Sequence, residues 1–472
     1  MRIVSFLVNH EERIGIEIEE GFLDLNLACR GMLAARGEHE SDRLANLLVP
    51  TDAVAFLRGS HRTFDHARQV VNFVLEQSAS ERQAYIYDPD SVQRLSPIPH
   101  PGKIVCVGRN YHDHVSEMKR DVPTIPVVFA KLSNTVCADG DGVPFPQVSD
   151  QLDYEAELGV VIGKQGRYIS EEDAMDYVAG YTVLNDITVR DWQHRTPQWL
   201  QGKSFDLSGP IGPVMVTADE LPDPHRLDIK LWLNDELRQH DNTGRLIFNI
   251  PFLISFISQI MTLEPGDIIA TGTPGGVGVA MNPKGFMKVG DVVRVEIEGI
   301  GSLENRIVNT ENVRKIATGI RELHADLERA AVKVAAPALH FKPSEDAWSV
   351  AQILVHVAEF EHFFSQDVLH VKGNPGTNFG RTVTHEARLE AVNLSGTETL
   401  VTLMEGLNRG KQEVLHMLSR LTDDDLSIEA VNPKFGTKTI AWIIGHFITE
   451  HLEKHIGQVE RTHRAYQAQP QH

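Results

Sequence analysis

Two glutamates, Glu155 and Glu157, lie in the run Asp153-Tyr-Glu155-Ala-Glu157-Leu-Gly-Val-Val-Ile. In a strand, residues two apart share a face, so this spacing sets two carboxylates side by side while Leu158, Val160 and Ile162 feed the core. Like charges held that close repel unless a cation sits between them. A third acid, Asp186, ends the apolar run Tyr181-Thr-Val-Leu-Asn-Asp186. Three oxygen donors with room for water suit Mg²⁺ or Mn²⁺ better than zinc, which prefers His and Cys. Upstream, Arg109-Asn-Tyr-His-Asp-His114-Val-Ser-Glu117-Met reads as a turn entering a short helix, where His114 and Glu117 share a face. Glu117 there would orient the imidazole and raise its basicity, leaving His114 free to take a proton from water. A lone lysine is usually a solvated surface charge, so Lys203, beside Gly202, gains meaning only from its context. The glycine-dense segment Ile268 to Gly278 can bring backbone N–H groups close to a carboxylate. Singly, each feature has an ordinary structural explanation: an exposed acidic strand, a surface His–Glu contact, a solvated lysine, a plain turn.

A second set lies near the C-terminus, where twelve of the 22 histidines fall from His324 onward. Ile353, Val357, Phe360 and Phe364 mark the buried stripe of one helix, with His356 at its edge. Ile444, Phe447 and Ile448 mark another, which His451 and His455 continue one turn apart. A His-x-x-x-His pair alone is more often surface polarity. With a third histidine from a facing helix, all on inward stripes, the set suits a metal with open coordination positions.

The elements that must position these groups follow from the pattern. At 472 residues the chain calls for two or three domains. Hydrophobic residues at 42% and charged ones at 23% describe a globular protein. A net charge of −20 argues against a nucleic-acid surface. Cys29, Cys106 and Cys137 cannot pair fully and lack metal-ligand spacing, which fits a reducing cytoplasm. No apolar run approaches the roughly 20 residues that span a bilayer, so no membrane partner is expected.

The chain opens as a hairpin, with a polar turn at residues 9–12. Helical periodicity runs from about Leu44 to Leu75, broken at Gly59-Ser60, and residues 1–97 read as a small α+β domain. Pro-rich Leu95 to Gly102 marks a boundary. Strands follow at Lys103–Gly108, Val127–Lys131, Leu227–Leu233 and Asp291–Ile297, with an acid-rich helix start at Ser170 and helical spacing from Arg190 to Gln193. Beyond Thr310, a candidate cap, four amphipathic helices are expected: Glu311–Val334, Trp348–Leu369, Glu398–Leu421 and Ile440–Gln458. The fold class is thus multidomain α+β: an N-terminal α+β domain at 1–97, a strand-rich domain at 98–310 that carries the acids, and an all-α four-helix bundle at 311–472.

From about Lys103 to Val308 the chain resembles the fumarylacetoacetate hydrolase family. The resemblance rests on Gly108-Arg-Asn-Tyr111-x-x-His114-x-x-Glu117, Glu155-x-Glu157, Asn185-Asp186-x-x-x-Arg190-Asp191-x-Gln193, Gly202-Lys203-Ser-Phe-Asp206 and Thr271-Gly-Thr-Pro274. It implies a mixed β-roll, a homodimer, and Glu155, Glu157 and Asp186 as ligands of Mg²⁺ or Mn²⁺. His114, Glu117 and Lys203 resemble the catalytic groups, and Arg109, Tyr111, Arg190, Gln193 and Thr273 the substrate-binding ones. The implied reaction is hydrolysis of a C–C bond in a 2,4-dioxo acid of acylpyruvate or fumarylpyruvate type. Residues 108–110 carry no acid where the fumarylacetoacetate-cleaving branch has a fourth carboxylate, which points to the three-carboxylate bacterial branch. That branch leaves open oxaloacetate decarboxylation and dienedioate isomerisation with decarboxylation.

The tail resembles the DinB-like four-helix metalloproteins through Trp348-Ser-Val-x-x-Ile-Leu-x-His356 and Gly445-His446-x-x-x-x-His451-x-x-x-His455-x-x-Gln458. It implies His356, His451 and His455 as ligands of Zn²⁺ or another divalent metal, with His446 unassigned. Members of that family include enzymes that use a low-molecular-weight thiol, among them a maleylpyruvate isomerase. The pairing implies a bifunctional cytoplasmic enzyme of gentisate breakdown; a non-catalytic binding or dimerisation module is the alternative for the bundle.

Overall fold

The computed structural model describes residues 1–8, 11–382 and 385–469. The chain divides into two compact units, Met1–Val308 and Asn309–His472.

In the first unit the acid-bearing strand Ala156–Ile162 is buried along its whole length. Such a run, apolar on both faces, belongs in the middle of a sheet. It pairs antiparallel with Val178–Asn185 on one side and Ile268–Ala270 on the other. The sheet runs in the order Ile86–Tyr87, Gly21–Asp24, Glu11–Ile18, Arg2–Val8, Gly209–Thr217, Val178–Asn185, Ala156–Ile162, Ile268–Ala270, Ile104–Gly108, Val127–Lys131. A five-stranded sheet of Glu236–Asn242, Asp228–Leu233, Val292–Ile297, Gly301–Val308 and Gly142–Pro144 lies in the same unit. Leu158, Val160 and Ile162 share a core with its Ile229, Leu231, Val293 and Val295. Val161 faces the other way, into a core with Cys29, Phe56 and Val70 of the N-terminal helices.

That second core changes the reading of the first 97 residues. Arg2 and Ile3 pair with Val216 and Met215, so the opening hairpin extends the large sheet. The helices that follow cover its far face, which would otherwise expose Val161, Leu184 and Ile268. The Pro-rich stretch near residue 97 is a connection inside one compact unit. Part of the expected polar turn, residues 9 and 10, lies outside the described residues.

The helical stretch expected at 44–75 is three helices, Ser41–Leu48, Ala53–Arg58 and His61–Leu75. Leu25–Ala35 is a further helix, capped by Asp24, whose side chain accepts the Leu27 N–H. The helix start expected at Ser170 gives only a short 3₁₀ turn, Ala174–Tyr177, because the strand Val178–Asn185 begins at once.

The second unit is a bundle of four long helices: Glu311–Val332, Val350–Gly373, Leu400–Ser419 and a last one, interrupted, that runs from Ile440 to Gln467. A hairpin, Glu429–Asn432 with Gly436–Thr439, adds strand to an element expected to be all helix. Ser349 and Gln352 form a capping box. Thr310 makes no side-chain cap; the Asp423 carboxylate accepts the Asn312 and Val313 N–H groups instead. Among the described residues no helix is long and apolar enough to cross a membrane.

Two candidate metal centres

Strand pairing assembles the first centre. Ala156 lies opposite Asn185, so Glu155 and Asp186, each one step beyond its strand, meet across the ladder; the Asp186 N–H donates to the Glu155 carbonyl at 2.9 Å. Glu157, two residues on, faces the same side. Carboxylate oxygens of the three lie within 4.8 Å of one another, and all three residues are buried. Ile104–Gly108 and Ile268–Ala270 are parallel neighbours, so the short helix His112–Glu117 and the glycine-dense loop after Ala270 emerge at this same end.

Cations already meet the acids there. The Lys203 ammonium donates to Glu155 Oε2 and Asp186 Oδ2, each at 2.6 Å. Lys131, also buried, lies 2.9 Å from Asp186 Oδ1. Arg190 reaches Glu155 Oε1 at 2.8 Å, Asp153 Oδ2 at 2.7 Å and Gln193 Oε1 at 3.1 Å, while its Nη2 has no partner. Burial opposes ionisation of Glu155, but Lys203 and Arg190 overcome it and hold the group down to about 2. Glu157 goes the other way: burial, then Asp186 and Glu155, push it well up. Glu157 meets only the Gly272 N–H while two like charges stand beside it, and a buried carboxylate in that position takes a proton or a cation. An all-oxygen triad of carboxylates fits a hard divalent ion.

The loop Thr271 to Ala280 holds the rest. Its N–H groups bind protein carboxylates: Gly272 to Glu157 at 2.8 Å, Gly276 to Glu117 at 2.8 Å, Gly278 and Val279 to Asp153 at 2.7 and 2.9 Å. The carboxylates that the glycine-dense loop approaches are thus the protein's own. Gly272 has φ +106°, and a Cβ there would lie 2.7 Å from Asn110 Cβ; at Gly276, also at φ +106°, it would lie 2.0 Å from the Arg238 carbonyl. Glu117 Oε1 faces His114 Nδ1 at 2.8 Å, so one carboxylate joins loop and imidazole.

A cavity of about 290 Å³ opens onto this cluster, lined by His114, Glu155, Glu157, Lys203, Arg190, Gln193, Arg109 and Thr273 among others. Tyr111 departs from the expected set: it is fully buried and does not line the cavity, because its backbone bridges to Leu246 and carries the ring inward. Thr273 lines it with its hydroxyl engaged by Gln239 at 2.9 Å. Three positioning residues escaped the reading of the sequence. Asp153 ties the loop to Arg190; its signal was a third acid in register with Glu155 and Glu157. Lys131 ends a strand, and Gln239 bridges the Ala156 N–H to Thr273 and Pro274; neither carries a local signal.

In the second unit, His356 comes from Val350–Gly373 and His451 and His455 from Glu450–Gln467. The His451 Nε2 lies 3.0 Å from His356 Nε2 and 3.1 Å from His455 Nε2. Around a metal with bonds of roughly 2.1 Å, neighbouring nitrogens stand roughly 3.0 Å apart at right angles and roughly 3.4 Å apart at the tetrahedral angle. Burial is the main cause that pushes His356 down to about 3 and His455 to about 4, so the imidazoles present lone pairs. A π-turn, Gly445–Thr449, interrupts the helix just before His451. His446 points away, stacked on Trp442 at 4.6 Å and paired with Glu450 at 2.8 Å.

A mixed-β unit with a carboxylate triad and an acid–imidazole pair beside a small cavity has the make-up of a metabolite enzyme. The chain belongs to the fumarylacetoacetate hydrolase family, and carries a DinB domain as well: the model of the fumarylacetoacetate (FAA) hydrolase C-terminal domain matches residues 103–308 and that of the DinB superfamily residues 320–459. Oxaloacetate tautomerase fahd2 of Xenopus laevis is 45% identical over 233 residues, 49% of this chain and 73% of that protein. Oxaloacetate tautomerase YisK of Bacillus subtilis is 44% identical over 263 residues, 55% and 87% respectively. Among solved structures, fumarylacetoacetate hydrolase of Exiguobacterium antarcticum superposes with TM-score 0.53 at 32% identity, covering 65% of this chain and 99% of that one. Maleylpyruvate hydrolase of Sphingobium sp. SYK-6 gives 0.50 at 31%, covering 66% and 100%.

Proposed function

We propose that the first unit interconverts the keto and enol forms of a small 2-oxo dicarboxylate of the oxaloacetate type, with a divalent cation. The carrying observation is that His114, held by Glu117, lines one cavity of about 290 Å³ together with Glu155 and Glu157 of the carboxylate triad. That volume lies at the lower end of the about 300–1,000 Å³ usual for ligand pockets, which favours a short substrate. Relatives at 44–45% identity bear the name oxaloacetate tautomerase. A cation held by Glu155, Glu157 and Asp186 would supply Lewis acidity at the 2-oxo oxygen. His114, fixed through Nδ1 by Glu117, moves the proton at the carbon next to the oxo group. Arg190, through its free Nη2, and Arg109 bind the carboxylates, and the Lys203 ammonium stabilises the enolate charge.

The test follows enol-oxaloacetate by its ultraviolet absorbance with Mg²⁺- or Mn²⁺-loaded protein and identifies products by proton NMR. Faster enol loss without release of pyruvate supports the reading; a rate equal to the uncatalysed one, or pyruvate and carbon dioxide as products, defeats it. Hydrolysis of fumarylpyruvate is the second reading, because a base oriented as His114 is can activate water. Pyruvate and fumarate appearing together would favour it.

For the second unit we propose a divalent centre at His356, His451 and His455, supported by their Nε2 spacing. Thiol-dependent cis–trans isomerisation of maleylpyruvate is its proposed chemistry. A His356→Ala protein that keeps isomerase activity, or an intact protein without any, would remove that proposal.

A further inference from the structure

The three histidines line one hollow of the second unit, and His451 stands where it meets a second. One, of about 780 Å³, is lined by Trp348, His356, His455, Gln458 and Arg461. The other, of about 690 Å³, is lined by Phe360, Phe364, Phe435, Phe447 and Lys434. Phe360, Arg388, His451 and Lys454 line both. The second hollow is paved with rings that lead to the centre without a break. Phe447 stacks on Phe364 at 4.2 Å, Phe364 meets Phe360 at 4.6 Å, and Phe360 stacks on His451 at 3.8 Å. Phe435 extends the pavement outward, 5.9 Å from Phe447. Phe360, Phe435 and Phe447 are only partly buried.

Aromatic surface left open in a hollow favours a ligand that covers it, and ring faces favour flat partners. The charges at the junction choose the other end of that ligand. In a chain of net charge −20, Arg388 and Lys454 stand together where the hollows join. An anion placed there gains from the Lys454 ammonium and lies against His451.

We propose that this cleft binds an organic anion with a flat, unsaturated body. The body lies on Phe360, Phe435 and Phe447, and the carboxylate lies at the junction between Lys454 and the three histidines. The inference rests on the metal reading only for the carboxylate's neighbour; the ring pavement stands without it.

Calorimetric titration of the full-length, Zn²⁺-loaded protein tests this with three probes: trans-cinnamate, cinnamyl alcohol and acetate. Cinnamate should bind saturably, and the alcohol and acetate at least tenfold more weakly, since each lacks one half of the ligand. Lys454→Gln, at an exposed position, should weaken cinnamate about tenfold and leave the alcohol unchanged. Phe435→Leu should weaken cinnamate and leave acetate unchanged. Equal affinity for all three probes, or cinnamate binding that neither variant alters, overturns the proposal. Metal content measured on the same samples separates the two readings. Saturable cinnamate binding to protein that retains no zinc at the histidines supports the cleft and defeats the metal centre; zinc bound without cinnamate binding does the reverse.

Discussion

In the first unit the protein already holds every donor of the candidate centre. Glu155 lies on Lys203 and Arg190, Asp186 on Lys203 and Lys131, and Glu157 on the Gly272 N–H. In the second, the three Nε2 atoms face only one another, and the Nδ1 atoms of His356 and His451 are without partners. The contrast follows from charge. A buried carboxylate must be paired or neutralised, whereas a neutral imidazole can be buried at the cost of a hydrogen bond. The oxygen centre is therefore part of what holds its unit together, and the nitrogen centre is closer to an addition to a finished bundle.

The largest expected effect breaks that contrast directly. Asp186→Asn leaves Lys203 and Lys131 buried beside one fewer charge, and loss of one partner of such a group costs roughly 3–5 kcal/mol. Urea denaturation should show the first unit destabilised on that scale. His451→Ala should remove metal from the histidine centre and, in protein without metal, leave the bundle's unfolding midpoint nearly unchanged. If the two substitutions cost equal stability, the contrast is wrong.

Next in size is catalysis. His114→Ala should lower turnover of enol-oxaloacetate about 10²–10⁴-fold, as removal of a general base does. Glu117→Gln should cost about 10–100-fold through loss of orientation. Gly276→Ala belongs with it, since its Cβ meets the Arg238 carbonyl and shifts the N–H that holds Glu117. If Gly276→Ala keeps full rate, the loop does not position the base.

A smaller effect concerns Lys203, which occupies the space between two of the acids. Lys203→Met should lower the melting temperature without metal and recover more of it on adding Mn²⁺ than the parent gains, because binding to the folded state alone stabilises it. An equal Mn²⁺ shift in both proteins would show that ammonium and metal do not compete.

What the sequence revealed of these centres follows the same division. Donors fixed by local periodicity could be read directly: Glu155 and Glu157 at strand spacing, His114 and Glu117 three apart, His451 and His455 four apart. Groups that act across the sheet could not. Gln239 lies 83 residues from the Ala156 N–H it binds, and Lys131 56 residues from the Ile187 carbonyl. The place of residues 1–97 was hidden for the same reason. Their hairpin alternates as any hairpin does, and only the pairing of Arg2 with Val216 makes it part of the catalytic sheet. The glycine-dense loop was legible as a close approach of backbone, but whether its N–H groups met substrate or protein depended on carboxylates from two other segments. The π-turn that precedes His451 leaves no mark in a pattern read at regular helical spacing.

The smallest effect lies in the bundle, in a charge unlike the histidine centre beside it in sequence. Glu361 is fully buried, its Oε1 2.7 Å from His324 Nε2 and its Oε2 without a partner. Burial raises its affinity for a proton above the ordinary value of 4.5, with Glu413 adding to the rise and His324 and Lys411 opposing it. A carboxyl group raised in the folded state carries no penalty below its unfolded value, where both states are protonated. The penalty grows as pH climbs through the folded value and persists above it. Glu361→Gln keeps an acceptor for His324 and cannot ionise, so it should stabilise the second unit at pH 8 relative to the parent, with the gain shrinking toward pH 4.5. Urea midpoints of the two proteins across that range measure it. A gain independent of pH would mean that the unpartnered oxygen, not the charge, is what the bundle tolerates at this position.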